Sequence, residues 1–557
     1  MNVHDIPLLR FSLQDTFHVS AAFQHLLIIG STGSGKSTGP VALFFQAMLR
    51  RGFGALALCV KPDEAKQVMA HAEAAGRLQD VMLVSPNPDP LNEGMLWRIN
   101  VLEYLFKAEA GLGGIGEIVA LIATLTTFVD GAASLRDQKD FWDRNGDKLV
   151  RHALTLLILS NAPLSFLTIY QLVLAAPQQS EDTDDPYFQP PDQEQFFWEV
   201  LEQARGNAST RQEQHALTIA EHYWLGEMPR LADRTRSSII ATLTSVLDVF
   251  LHGHLYELFG TETTFTPEQS FTEGNILVLD MPIQGLYGET GRIAQLLIKH
   301  LWQKAVLRRN VQEQPRPVAL LADEAQEIVS SSDYSFLSTA RSAHAAVLYA
   351  TQNISNIYAK IGHMEKDAAD ALLGLFNTKV FLANGDPVTN QWASTLIGFA
   401  EQTRQSWTVD RTGQLALSGT SKPDFIIPPW TFTQLQKGGR PTYAVEGIVF
   451  QNGRRWQASN AAILRVLFPQ QLPAAQQALM VVDASQELSL TEEDKTKLIL
   501  QYLVMLVALI EELMILNRHP SLLVSQAQES YAPPPPSQVP RAISVVSIDE
   551  AMPDDDK

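Results

Sequence analysis

Cysteine is almost missing from this sequence of 557 residues, since Cys59 is the only one. A single thiol excludes an internal disulfide, and its place in the apolar run ALALCV predicts a strand position in the core of a protein from a reducing cytoplasm. None of the 13 histidines stands at a zinc-site spacing from this cysteine. The sequence therefore predicts neither a disulfide framework nor a structural zinc.

Long apolar runs and an excess of positive charge are lacking as well. No apolar segment of a signal peptide follows the first residues, and the longest apolar stretch, Ala153 to Ala176, is interrupted by Asn161 and Pro163. We therefore expect a cytoplasmic protein without an integral membrane segment, at most peripheral at the inner membrane. The net charge of −19 argues against a surface coated with nucleic acid, but it leaves room for DNA in a local basic channel.

The most informative stretch is HLLIIGSTGSGKST, residues 25–38. Its apolar run predicts a buried parallel strand, and the G-x-x-x-x-G-K-S pattern that follows is the phosphate-cradling loop of nucleoside triphosphatases. Backbone N–H groups and a helix N-terminus would bind the phosphates of ATP there. The predicted nucleotide-binding residues are Gly30, Ser31, Thr32, Gly33, Ser34, Gly35, Lys36, Ser37 and Thr38.

Two residues of this loop have more particular predicted roles. Lys36 would reach the β and γ phosphates as a catalytic group, and Ser37 would help to hold Mg²⁺. The alternative is a surface loop rich in glycine and serine that happens to contain a lysine.

Further polar side chains follow predicted strands later in the chain. The segment 316–329 delivers Asp323 and Glu324 to the carboxyl end of a strand, where an open α/β sheet binds its ligands. Asp323 would complete the Mg²⁺ shell, and Glu324 would orient and polarise the attacking water. Gln352 ends the strand at 345–352, where it could sense the γ phosphate or position water. The acidic pair could instead be a solvated helix cap.

Arg341 lies in the predicted connection between a helix and that last strand. It is a candidate for an arginine that stabilises the charge of the transferred phosphoryl group, in its own subunit or in a neighbouring one. The alternative is an ordinary surface arginine.

Strands and helices alternate around these motifs, which predicts an α/β fold with a mostly parallel sheet and helices on both faces. One or two edge strands are expected before the phosphate loop, and hairpins are expected at 405–419 and at 441–459, the latter with an Asn-Gly turn. We expect one ATPase domain in two parts, residues 1–105 and 259–470, with an all-helical insertion between them at 106–258. Residues 471–557 are expected to form a C-terminal helix and a disordered, acidic, proline-rich tail.

Several segments resemble, in the same order, the TraG/TraD class of type IV secretion and conjugation coupling proteins, within the HerA/FtsK superfamily of DNA-pumping ATPases. They run from about residue 20 to 465 and are HLLIIGSTGSGKST, VKPDEA, RINVLEYL, DFWDRNGDKLVRHAL, RTRSSIIATLTSVLD, EGNILVLDMP, LLADEAQEI, RSAHAAVLYATQNISNI, NTKVFLANGDP and WASTLIG. The resemblance implies a RecA-like P-loop motor with a helical insertion, working as a homo-hexameric ring. It implies that ATP hydrolysis drives DNA through a central channel and delivers a relaxase-bound strand to a secretion pore.

The resemblance also implies roles for matching residues. Lys36 and Ser37 would bind nucleotide and magnesium, and Gln352 would be the sensor. Asp323 and Glu324 would serve magnesium binding and hydrolysis, and Arg341 would be a candidate for an arginine that acts in trans. Tails of the class recruit substrate or accessory proteins, which residues 520–557 could do here.

One departure from the class concerns the membrane. Coupling proteins typically begin with transmembrane helices, whereas this chain reaches Gly30 without one, so a separate membrane protein would supply the anchor. Two other functions stay open: a soluble HerA-like translocase for DNA processing or phage defence with a nuclease partner, and a nucleotide-gated module that recruits protein cargo for secretion. Stimulation of ATP turnover by DNA would separate the two translocases from the recruitment module.

Overall fold

The computed structural model describes residues 5–470, except for 13, 109–110, 131–135, 178–190, 362–365, 410–414 and 440–442. The chain divides into a compact unit, Met1–Val482, and a second unit, Asp483–Lys557. The predicted C-terminal helix and tail, residues 471–557, lie outside the described residues.

The strands group into one large sheet and two small ones. In chain order they are β1 (Pro7–Arg10), β2 (Thr16–His18), β3 (Leu26–Ile29), β4 (Gly54–Leu58), β5 (Val81–Val84), β6 (Ile276–Leu279), β7 (Val318–Ala322), β8 (Ala345–Thr351), β9 (Thr378–Phe381), β10 (Phe399–Val409), β11 (Leu415–Phe425), β12 (Ala444–Gln451) and β13 (Ile463–Pro469).

The helices connect and cover these strands. They are α1 (Val19–Ala22), α2 (Ala42–Arg50), α3 (Glu64–Ala74), α4 (Val101–Ala108), α5 (Gly114–Asp130), α6 (Arg136–Leu159), α7 (Phe166–Leu174), α8 (Gln195–Asn207), α9 (Arg211–Glu221), α10 (Met228–Arg230), α11 (Asp233–Asp248), α12 (Gly253–Phe259), α13 (Gln269–Thr272), α14 (Gly288–Arg308), α15 (Ser331–Thr339), α16 (Ile354–Ile361), α17 (Lys366–Gly374), α18 (Pro387–Ile397) and α19 (Thr431–Gln434).

The large sheet has nine strands in the order β13-β12-β9-β3-β8-β7-β4-β6-β5. The strands from β9 to β5 in this order are parallel, and β12 and β13 are antiparallel to their neighbours. Alternate residues of β3 enter different apolar clusters: Leu27 and Ile29 face one, and Leu26 and Ile28 face the other. Apolar residues on both faces are typical of a parallel sheet that is covered by helices on both sides. The predicted α/β class with a mostly parallel sheet is confirmed.

Between β5 and β6, every described element is a helix. One face of α6 is apolar and buried, as Val150, Leu154 and Leu157 are at most 1% exposed. These side chains join the same apolar cluster as one face of the sheet, so the stripe is core. Among the described residues, no single helix is long and apolar enough to cross a bilayer; α11 and α12 reach that length and composition only together, as a pair bent by 82°.

The two small sheets contain the predicted early strands and one of the predicted hairpins. The two expected early strands, β1 and β2, exist, but they form a separate antiparallel pair and not an edge of the large sheet. The hairpin predicted at 405–419 is confirmed, and its strands pair from Phe399 with Phe425 to Val409 with Leu415.

The hairpin predicted at 441–459 is wrong in its second strand. The chain turns at Asn452 and Gly453, but the partner strand β13 begins only at Ile463. The reason is that the intervening connection packs against the N-terminal region. Trp456 is fully buried beneath the Arg454 guanidinium, 3.7 Å from its ring centre. The Asp15 carboxylate accepts the N–H groups of residues 457 and 458, at 2.7 and 2.9 Å.

Candidate nucleotide site

The strand order brings the predicted site residues to one edge of the sheet. Since β3, β8 and β7 are adjacent and parallel, their carboxyl ends lie side by side, followed by Gly30, Gln352 and Asp323 respectively. The Gly30 N–H donates to the carbonyl of Thr351 at 3.2 Å, and the Ser31 N–H donates to that of Ala383 at 3.0 Å. The phosphate loop is therefore fixed at its base to both neighbouring strands.

The loop itself has the backbone shape that phosphate binding needs. Gly33 and Gly35 have φ angles of 73° and 90°, in the left-handed region that favours glycine. A Cβ at Gly35 would also stand 2.4 Å from a methyl group of Val445, so no side chain fits there. Thr32 and Gly33 are exposed at the tip, whereas the Ser34 hydroxyl is buried without a partner. This arrangement fits a loop whose polar groups are completed by a ligand.

The first helical turn after the loop is widened around Pro40. Residues Ser37–Val41 form a π turn, in which the Val41 N–H reaches back to the Lys36 carbonyl at 3.1 Å. Proline has no N–H to donate, and the wider turn accommodates it without breaking the helix that continues as α2.

Charged and polar side chains converge beside the loop. The Ser37 hydroxyl donates to the Asp323 carboxylate. The Lys36 ammonium lies 4.0 Å from Glu324 Oε1, and both side chains are buried, at 6% and 2% exposure. The Gln352 amide donates to Glu324 Oε2 at 3.2 Å. The structure thus brings together five of the predicted site residues from three separate stretches of sequence.

Glu324 has an unusual backbone conformation. Its φ and ψ angles are 62° and 44°, which places a non-glycine residue in the left-handed region. Its N–H donates to Asp323 Oδ1 at 3.1 Å, and its carbonyl accepts the N–H of Glu327 at 3.0 Å. Such a conformation costs about 1–3 kcal/mol and is typical of functional sites.

Sequence reasoning missed Lys61, which follows β4. Its ammonium contacts Glu324 Oε1 and lies 3.8 Å from Glu64 Oε1. Gln326 was also missed, and its amide donates to Glu324 Oε2 at 2.7 Å. The available signal was that Lys61, like Asp323, follows a buried strand; β4 and β7 are neighbours, so their ends meet. Both carboxylate oxygens of Glu324 are therefore engaged.

The surroundings of the two glutamates shift their pKa values in opposite directions. Burial works to raise the pKa of Glu324, but hydrogen bonds from Lys61 and Gln326 and the charges of Lys36 and Lys61 outweigh it and hold that pKa below its ordinary value. Burial, reinforced by the negative charge of Asp323, raises the pKa of Glu64 to about 7. Glu324 is therefore ionised at neutral pH.

The loop is closed on its other side by a residue far along the chain. The Gln470 amide donates to the Thr38 hydroxyl, and the Gly439 N–H donates to Gln470 Oε1 at 2.8 Å. No local pattern at Gln470 indicates this contact, which depends on the return of β13 to the phosphate loop.

Arg341 is the predicted site residue that the structure does not bring to this edge. It is exposed in the turn between α15 and β8, at the amino end of that strand. The seven residues of β8 separate it from Gln352 by about 20 Å along the strand. Arg341 therefore lies away from the phosphate loop of its own subunit.

The donor set fits a nucleotide-bound magnesium ion. No group of three or more histidine, cysteine, aspartate or glutamate side chains suited to a metal occurs in the part of the chain that the structure describes. Ser37 and Asp323 instead offer one hydroxyl and one carboxylate, and Mg²⁺ commonly takes one or two protein ligands together with phosphates and water. These two residues would hold the ion, and the glycine-rich loop with Lys36 would hold the phosphates.

Comparison with known proteins agrees with this fold. Residues 317–437 match the family described as "TraM recognition site of TraD and TraG", a range that includes β7, the acidic pair and β8. None of the curated proteins matches the chain by sequence.

Among solved structures, the unbound bacterial conjugative coupling protein TrwB is 17% identical, with a TM-score of 0.53 over 82% of this chain and 88% of TrwB. TrwB with a non-hydrolysable ATP analogue is 18% identical, with a TM-score of 0.52 over 82% and 88% of the two chains. TrwB with ADP and Mg²⁺ is 17% identical, with a TM-score of 0.50 over 82% and 89%. The fold of this chain is that of TrwB, and the predicted resemblance to the TraG/TraD class of conjugation coupling proteins is confirmed.

Proposed function

We propose that the chain is a coupling-protein-type ATPase that hydrolyses ATP with Mg²⁺ and uses the free energy to move DNA toward a conjugation or type IV secretion channel. The observation that carries the proposal is the convergence of Lys36, Ser37, Asp323, Glu324 and Gln352 at one edge of a parallel sheet. The bound ADP, Mg²⁺ and ATP analogue of TrwB support the choice of ligand.

Each residue has a role that follows from its position. The loop N–H groups and Lys36 bind the phosphates, while Ser37 and Asp323 hold the metal. When bound, Mg²⁺ supplies positive charge to the β and γ phosphates. Glu324 is ionised and orients the attacking water, with Gln352 beside it at 3.2 Å. A water that reaches Glu324 Oε1 must displace or share the Lys61 ammonium, so Lys61 sets the position of this carboxylate.

The assembly we propose is a homo-hexameric ring in which Arg341 acts on the nucleotide of a neighbouring subunit. Its exposure and its distance from its own phosphate loop support the action in trans. The ATPase domain comprises residues 1–105 and 259–470, with 106–258 as a helical insertion and 471–557 as the tail. We further propose that a relaxase and a separate membrane protein bring the ring to the secretion channel at the inner membrane.

A second function is favoured by two observations. The net charge of −19 disfavours extensive contact with DNA, and the matched family is described as a recognition site, that of TraM on TraD and TraG. The alternative is therefore a nucleotide-gated ATPase that recruits protein cargo.

ATP turnover at low salt distinguishes the two functions. We would measure phosphate release with and without single- and double-stranded DNA, for the wild type and for Lys36→Ala. A motor predicts stimulation by DNA that disappears in the variant, whereas turnover indifferent to both kinds of DNA favours the recruitment ATPase. Absence of any turnover in the wild type would contradict both.

A further inference from the structure

We infer that Glu64 is a positioning residue for hydrolysis: it takes the Lys61 ammonium from Glu324 when the attacking water enters the site. This inference rests on the proposed ATPase function and deepens it. Glu64 is the first residue of α3, shortly after the end of β4, and only 7% of it is exposed. A carboxylate that is buried so deeply is normally hydrogen-bonded at both of its oxygens.

The two oxygens of Glu64 are bonded unequally. Oε2 accepts the N–H groups of Val60 and Lys61, at 2.6 and 3.1 Å, which fixes the carboxylate against the end of β4. Oε1 is buried and accepts no hydrogen bond from any residue that the structure describes, and the Lys61 ammonium lies 3.8 Å from it. A hydrogen bond between an ammonium and a carboxylate is about 2.7–2.9 Å long. A shift of the ammonium by roughly 1 Å would therefore complete this bond.

Glu324 has one oxygen to offer to water. Gln326 and Gln352 donate to Oε2 at 2.7 and 3.2 Å, which uses both lone pairs of that atom, and the Lys61 ammonium contacts Oε1. Burial works to raise the pKa of Glu324, and the hydrogen bond from Lys61 is the largest of the contributions that hold it below its ordinary value. A carboxylate of low pKa is a weak acceptor for a proton of water. Glu324 therefore acts on water best once the ammonium has left Oε1.

Lys61 is free to make this shift, and Glu64 is the place for it to go. Its side chain is 37% exposed, and its ammonium already lies between the two glutamates. Burial works to lower the pKa of Lys61, but the neighbouring carboxylates outweigh it and hold the group as an ammonium. Departure into solvent would leave the buried charge of Glu64 unpaired, whereas the shift to Glu64 Oε1 gives it a counter-ion. Glu64 thus keeps the ammonium in the site while Glu324 receives the water.

A double-mutant cycle on Glu64 and Lys61 tests the inference. Glu64→Gln keeps an oxygen for the two backbone N–H groups and removes the charge that receives the ammonium. At pH 8, above the pKa of about 7 that burial and the charge of Asp323 give Glu64, we would measure kcat for ATP and the affinity for a non-hydrolysable ATP analogue, both with Mg²⁺. We expect kcat to fall about tenfold and the affinity to equal that of the wild type.

The second arm of the cycle separates positioning from a structural role. In the Lys61→Met background we expect Glu64→Gln to cause no further fall in kcat, because no ammonium remains to be moved. Glu73→Gln makes the same change at an exposed position of α3 and is the matched control, which should alter neither kcat nor affinity. Should Glu64→Gln not fold, Glu64→Asp enters the same cycle, because its shorter side chain withdraws the charge from the ammonium.

The outcomes distinguish the inference from the function on which it rests. Wild-type kcat in Glu64→Gln, or weaker binding of the analogue by this variant, would overturn the positioning role alone. An equal fall of kcat with and without Lys61 would overturn it as well, since a glutamate that only supports the fold acts alike in both backgrounds. A wild type that neither binds the analogue nor hydrolyses ATP would overturn the ATPase proposal and the inference with it.

Discussion

Two clusters of buried charge lie close to β8, and they differ in how fully their atoms are bonded. At the carboxyl edge of the sheet, the nearest partner of Lys36 among the described residues is Glu324, at 4.0 Å. In the second cluster, between α14, α15 and β8, Lys299 and Asp333 form an ion pair at 2.7 Å with side-chain exposures of 0% and 1%. Both clusters pair lysine with an acid, but among the described residues Lys36 has no close hydrogen bond, whereas Lys299 has several.

The second cluster is saturated with protein partners. Asp333 also accepts the N–H of Ser330 at 3.0 Å, the Gln303 amide at 2.8 Å and the Tyr349 hydroxyl at 3.3 Å. Lys299 further contacts the Ile328 carbonyl and, at 3.2 Å, the Ser330 hydroxyl. A buried cluster whose polar atoms are all hydrogen-bonded within the protein stabilises the fold. The phosphate loop instead has a buried hydroxyl without a partner, that of Ser34, and such a group is available to a ligand. The two clusters should therefore respond differently to substitution.

The largest expected effect is on turnover, from Lys36→Ala. Because the lysine neutralises phosphate charge, we expect phosphate release to fall about a thousandfold, or 4 kcal/mol. Removal of a buried ammonium that has no close hydrogen bond should leave the urea unfolding midpoint nearly unchanged. If Lys36→Ala unfolds at a much lower urea concentration than the wild type, or keeps full turnover, the carboxyl-edge cluster would not differ from the Lys299 cluster in the way described.

The second effect is on stability, from Asp333→Asn. The substitution leaves the Lys299 charge buried without its counter-ion, so the unfolding free energy should fall by about 3 kcal/mol in urea titrations. The double variant Lys299→Met with Asp333→Leu should recover most of this loss. Lys360→Met is the control, since its partly exposed pair with Glu327 is worth about 1 kcal/mol at most. If the stability of Asp333→Asn equalled that of the wild type, a full set of hydrogen bonds within the protein would not mark a buried charge cluster as one that stabilises the fold.

A smaller effect, on turnover, is expected from Lys61→Met, which tests whether Lys61 positions the Glu324 carboxylate. Loss of the ammonium leaves the Glu324 carboxylate with hydrogen bonds from Gln326 and Gln352 and with Lys36 at 4.0 Å. We expect kcat to fall about tenfold with KM for ATP unchanged, because orientation of the carboxylate suffers and not phosphate binding. Lys61→Arg should restore part of kcat, and Lys66→Met, on the exposed surface of α3, should change neither constant. A rise in KM without loss of kcat would contradict the positioning role.

The smallest effect concerns His25, a buried histidine that belongs to neither cluster and is neutral at pH 7. Burial lowers its pKa from 6.5 to about 4, against a hydrogen bond between Nε2 and the Leu337 carbonyl at 2.9 Å. The unfolded chain takes up the proton first as pH falls below 6.5, so stability present above 6.5 is lost progressively toward pH 4. His25→Asn, which tolerates the φ of 65°, should lose about 1 kcal/mol less than the wild type between pH 7 and 5.5. Parallel pH profiles of urea unfolding would contradict this assignment.

The sequence was most informative where the chemistry is local. The phosphate loop and the acidic pair each follow their own buried strand, so their positions at the sheet edge follow from short patterns. The contact between Lys61 and Glu324 could not be predicted in the same way, since it depends on β4 lying next to β7. Gln470 reaches Thr38 only because β13 returns to the loop, after a connection in which Trp456 is fully buried.

Arg341 shows that strand direction also carries a signal. Gln352 follows β8 and reaches the site, whereas Arg341 precedes β8 and lies at the opposite edge. Because β3 and β8 are parallel, the residue that precedes β8 and the residue that follows it lie at opposite edges of the sheet. A role for Arg341 at its own phosphate loop could therefore have been set aside from the predicted topology.

The most direct test of the site is single-turnover hydrolysis by Glu324→Gln, with Asp333→Asn as the comparison. Because Lys36, Ser37 and Asp323 remain, we expect Glu324→Gln to bind ATP and Mg²⁺ with wild-type affinity and to release almost no phosphate. Asp333→Asn, at a temperature where it is folded, should hydrolyse ATP at close to the wild-type rate. Wild-type phosphate release by Glu324→Gln would contradict its role as the water-orienting residue and, with it, the assignment of the carboxyl-edge cluster as the catalytic one.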